Sequence, residues 1–130
     1  MPSKSLLPRP TDAELEILNV LWRRGPSTVR EVHEALLETK DIGYTTVLKL
    51  MQIMAEKGLV SRDETDRRHV YEAERAEDET QRQLLSDLLD RAFQGSATKL
   101  VMQALSSKRA SAEELAEIRR MLDELDRGRK

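Results

Sequence analysis

Residues 44–57 carry the pattern with the most chemical content. Val47, Leu50, Met51 and Met54 stand at offsets 0, 3, 4 and 7, the spacing of one buried helical stripe. At about 100° per residue, Thr45, Lys49, Gln52 and Glu56 fall opposite that stripe, with Thr46 and Ile53 on one flank and Leu48 on the other. Hydroxyl, ammonium and carboxamide groups are the types that reach base edges and phosphates in a DNA major groove. Tyr44, opening the helix, joins this set. Ile53 is apolar on the polar side, placed either to touch a thymine methyl or to pack at the edge of the core. A solvated helix face has a similar composition, so the weight of the pattern depends on its neighbours.

Two neighbouring groups extend it. Arg67 and Arg68 are adjacent in the polar stretch 63–68, where they suit phosphate or minor-groove contact, although the three acidic residues there equally fit a solvated tip with internal ion pairs. Thr28 and Arg30 stand where a helix begins, so a helix N-terminus and a cation could meet one phosphate; capping plus solvent explains them equally well.

Enzyme chemistry finds no such support. His33 and His69 are isolated, and there is no glycine-rich phosphate loop, no H-E-x-x-H and no nucleophile with a base at readable spacing. The absence of cysteine removes thiolate nucleophiles, disulfides and cysteine-ligated metals. No active site, metal or cofactor is assigned.

The elements that would position these side chains follow from caps and breakers. Thr11-Asp-Ala-Glu14 has capping-box spacing and starts a helix that Gly25-Pro26 stops near Arg24. Thr28-Val-Arg-Glu31 repeats the box and starts a second helix to about Lys40. The third helix, Tyr44 to Lys57, ends at Gly58. Leu59–Arg62 and His69–Ala73 then alternate as two strands of a hairpin around a charged tip. Three helices followed by such a hairpin is the element order of a winged helix. After Glu77 the character changes to amphipathic helices. Leu84, Leu85, Leu88, Leu89 and Phe93 form one seam, Leu100 and Val101 lie in a second segment, and Leu115, Ile118, Leu122 and Leu125 follow the capping box Ser111–Glu114. With one aromatic among them, these narrow stripes cannot close a private core, and they call for a second copy of the chain.

The expected organisation is an arm over 1–9, a mainly α winged helix-turn-helix domain with a small β-hairpin over 10–73, a helical dimerisation region over 77–126 and a basic tail over 127–130. Net charge is -2, and residues 1–70 balance 11 Lys and Arg against 11 Asp and Glu. Any nucleic-acid surface must therefore be a local cluster. A neutral first half also permits the alternative of a winged-helix protein–protein module without DNA binding. No secretion signal or membrane span is read, which suits a cytoplasmic protein with no membrane partner.

The stretches TDAELEILNVLWRRGPSTVREVHEAL, YTTVLKLMQIMAEKGLV and RHVYEA, with KLVMQAL in the tail, resemble the penicillinase repressor (BlaI/MecI-type) family of winged-helix transcriptional regulators. The resemblance implies a homodimer that binds a palindromic operator in double-stranded DNA, each third helix entering a major groove. It also implies a possible sensor-protease pathway that cuts an Asn–Phe bond in the tail of the best-known members; Gln103–Ala104 stands at that position here. The cysteine metal motif of the family's copper-responsive branch is absent, and Ile53 stands where relatives often have arginine.

Overall fold

Thr11 opens the first helix by the reciprocal capping its spacing predicts. Its hydroxyl accepts the Glu14 N–H at 3.2 Å, and the Glu14 carboxylate accepts the Thr11 N–H at 2.9 Å. Helix α1 (Asp12–Arg24) buries Ile17, Leu18, Val20 and Leu21 and stops at Gly25, whose φ of 90° lies in the region that favours glycine. Helix α2 (Val29–Leu36) has the second capping box, Thr28 with Glu31. It ends about one turn before the Lys40 boundary expected from the pattern, because the Glu38 and Thr39 N–H groups turn back only three residues, to the Ala35 and Leu36 carbonyls at 3.3 and 3.1 Å. Helix α3 (Tyr44–Lys57) ends at Gly58 in the left-handed conformation.

The wing is more than a hairpin. Strands β2 (Val60–Asp63) and β3 (Val70–Ala73) pair antiparallel as expected, but Ser27–Thr28 forms β1 on the far side of β3, giving the sheet order β1-β3-β2. Ser27 faces Tyr71 and Thr28 faces Val70 across the ladder. His69, expected within the returning strand, lies just ahead of it. The sheet and three helices enclose Ile17, Val32, Val47, Met51, Met54, Val60 and Tyr71, each at most 2% exposed. Full burial of such a side chain contributes roughly 1.5–3 kcal/mol. Leu50, expected in the core stripe, is only half-buried.

The structure is a computed structural model describing residues 8–65, 67–107 and 110–129. Most of the expected arm, Asp66 of the wing tip and Lys130 of the basic tail lie outside these residues. Two compact units are present, Met1–Leu85 and Ser86–Lys130. The first includes the opening turns of α4 (Glu77–Ala92). The Trp22 indole N–H donates to the Arg75 carbonyl at 3.0 Å, Glu79 caps the Ala76 N–H at 3.0 Å, and Thr80 is buried.

The second unit contains the rest of α4, α5 (Ala97–Ser107) and α6 (Ala112–Arg127). Gln94 and Gly95, with φ of 48° and 78°, turn the chain between α4 and α5. Helix α6 starts at the predicted Ser111–Glu114 box and runs through Arg127, so the expected basic tail begins inside a helix. No described side chain of α5 or α6 is buried.

Candidate nucleic-acid interface

Helices α2 and α3 meet through the short segment 37–43, and His33 fixes the junction. Its Nε2 donates to the Ile42 carbonyl at 2.8 Å, and its ring stands edge-on to Tyr44 with centroids 5.8 Å apart. Helix α3 differs from its neighbours at its start. Gly43 offers no side-chain cap, and the first turn has no acidic residue, so no side chain within that turn offsets its partial positive end.

Between the start of α2, one side of α3 and the sheet lies a cleft of about 570 Å³. It gathers six of the expected contact residues: Thr28, Arg30, Tyr44, Gln52, Arg67 and Arg68. Val29, Leu48 and Tyr71 supply its apolar surface, and Glu31 and Glu34 its acidic groups. Thr45, Thr46, Lys49 and Ile53 do not line it. The first three are exposed along the adjoining outer face of α3, whereas Ile53 is half-buried and stands outside the group of side chains packed on the core.

The charges are arranged in loose pairs. Arg30 approaches Glu34 at 3.7 Å with both side chains largely in water, a geometry worth little stability and easily exchanged for a phosphate. Glu31 accepts the Thr28 N–H, which holds its carboxyl below the ordinary value of 4.5; Arg24 and Arg68 act in the same direction, against the opposing effect of burial. In the first turn of α1, Glu14 is 3% exposed and paired with Lys57. Burial works to raise its pKa, but the Lys57 ammonium at 2.7 Å and the Thr11 N–H outweigh it and leave the carboxyl below 4.5.

Arg62 and His69 also line the cleft and were not anticipated. A signal for Arg62 was present: it is two residues from Val60, hence on the inward face of β2, where alternation calls for an apolar side chain. His69 carried none.

In the tail, Leu85, Leu88, Val101, Leu122 and Leu125 are 45–66% exposed, while Leu84, Leu89, Phe93, Leu100, Leu115 and Ile118 are half-buried. Gln103 and Ala104 are exposed in the middle of α5. Among the described residues no helix is long and apolar enough to cross a membrane.

Comparison with known proteins matches residues 10–124 to the penicillinase repressor family model. The transcriptional regulator BlaI of Mycobacterium tuberculosis (strain CDC 1551 / Oshkosh) is 37% identical over 94% of this chain and 88% of its own. The penicillinase repressor of Bacillus licheniformis is 25% identical over 91% of this chain and 92% of its own. The solution structure of the DNA-binding domain of the repressor BlaI superposes with a TM-score of 0.50 at 27% identity, covering 55% of this chain and 87% of that one. The winged helix, the cleft beside α3 and the near end-to-end match lead to one assignment: the chain belongs to the penicillinase repressor family.

Proposed function

We propose that the protein is a cytoplasmic, homodimeric transcriptional repressor that binds a palindromic operator in double-stranded DNA. The observation that carries the reading is the juxtaposition of α3, whose outer face is polar and whose first turn has neither side-chain cap nor acidic residue, with an arginine-bearing cleft between it and the wing. In this reading Thr45, Thr46, Lys49 and Gln52 meet base edges and phosphates of the major groove. Arg67 and Arg68 take the backbone from the wing, and Thr28 with Arg30 takes a phosphate at the start of α2.

A second copy supplies what one neutral module lacks. Specific sites typically require ~10⁻⁸ to 10⁻¹¹ M, and pairing two winged helices multiplies their weak individual contacts. The exposed leucines of α4, α5 and α6 support the tail as the pairing surface, over about residues 77–126. Release through a sensor-protease pathway acting at Gln103–Ala104 would remove α6 and so weaken pairing. Because that bond lies within a helix, cutting it requires local unwinding.

The test is selection of duplexes from a random pool by the full chain, followed by footprinting. Two protected half-sites about one helical turn apart are expected. Failure to enrich any sequence, with binding no stronger than to random duplex, would reject the repressor reading.

A further inference from the structure

Arg62 points from the sheet on the same side as the buried Val60 and Tyr71, but at the edge where the core ends and the cleft opens. Tyr71 is its direct cross-strand partner and 1% exposed, so the two side chains leave the sheet on the same face. A buried, rigid phenol therefore stands beside Arg62 in the lining of the cleft. The guanidinium is ion-paired with Glu64, which is half in water on the wing loop. Gln52 of α3 lines the same space, so the guanidinium stands between the wing and the helix assigned to the groove. A guanidinium presents a planar fork of donors that suits a phosphate as well as a carboxylate.

We propose that Arg62 is a further ligand for a backbone phosphate of the duplex, placed beside Tyr71 at the cleft edge and charge-compensated by Glu64 until the phosphate displaces that carboxylate. The proposal rests on the DNA-binding reading and adds an exchange to it. Glu64 occupies the position in the free protein, and it disfavours binding because it must give up its partner and then stand near a phosphate. Removing its charge should strengthen binding, and a gain that persists when Arg62 is also replaced would reflect general charge repulsion and overturn the exchange.

The experiment measures affinity against salt for the full-length chain, on a duplex selected by the wild type and on a random duplex. Arg62→Gln should weaken both by about three- to tenfold and lower the salt slope by about 1. Glu64→Gln should tighten both several-fold and steepen the slope. In the double variant the gain from Glu64→Gln should vanish, since the two act through one contact. Melting temperatures identify any variant of Arg62 that loses the fold, and Glu64→Gln, on an exposed loop, keeps the proposal testable in that event. Unchanged or weaker binding by Glu64→Gln overturns the exchange. A loss for Arg62→Gln confined to one base pair overturns phosphate contact in favour of base reading. A wild type that binds no duplex overturns the repressor reading and this proposal together, whereas a binding wild type with an unaffected Arg62→Gln overturns this proposal alone.

Discussion

Lys49 is exposed on the outer face of α3, so Lys49→Ala should leave the melting temperature unchanged while weakening DNA binding. Loss of a phosphate contact would reduce affinity uniformly across sequences, with the salt slope lower by about 1; loss of a guanine contact would cost ~1–3 kcal/mol at one base position. Gel-shift titration against salt separates the two, and unchanged binding would remove Lys49 from the interface. Ile53 has a different status. Being half-buried but outside the group packed on the core, Ile53→Thr should alter preference at one T·A pair with little change in melting temperature. A lowered melting temperature with unaltered preference would instead assign Ile53 to packing. Burial of individual residues was only partly legible in the sequence. Periodicity places Val47, Met51 and Met54 inside, as found, but says nothing of where the core ends: Leu50 packs on the core from its edge and stays half-buried, and Arg62 stands on the inward side of β2 just past that edge.

Helices α1, α3 and α6 were readable because their starts and stops are local chemistry: a reciprocal cap needs only four residues, and a left-handed glycine needs only itself. Strand β1 was not, since two residues hold no period and only the tertiary pairing of Ser27 with Tyr71 makes them a strand. At this scale Gly58→Ala should cost about 1–2 kcal/mol, because alanine must adopt φ near 84° to end α3, and calorimetry would measure it. Helices α1 and α3 are also joined by Glu14 and Lys57. Both Glu14 and Glu31 have folded-state pKa values below the ordinary 4.5, so the stability they confer is complete above that value and is lost as pH falls below it. A melting series into acid should show this decline, and Lys57→Met should make it shallower. A decline of equal steepness in that variant would mean that Lys57 does not hold the Glu14 pKa down.

For the whole molecule, the boundary between units matters most. A chain ending near Glu74 would remove the Arg75 carbonyl that Trp22 binds and the buried Thr80, so it should be less stable than one ending at Leu85. The Leu85 chain should fold, sediment as a monomer and bind a palindrome on the order of 10²–10⁴-fold more weakly than the full chain. A full chain that is itself monomeric at micromolar concentration would refute pairing through the tail.

The contact between Trp22 and Arg75 also gives the protein a built-in optical probe. Trp22 is the only tryptophan, and its indole N–H is bound to the backbone segment that leads into α4. Light absorbed by indole therefore reports the seating of that segment without any label. If water takes the place of the Arg75 carbonyl, emission should move to longer wavelength, and iodide should quench it more readily. Followed during mixing with DNA, this signal would time any loosening of the link into α4.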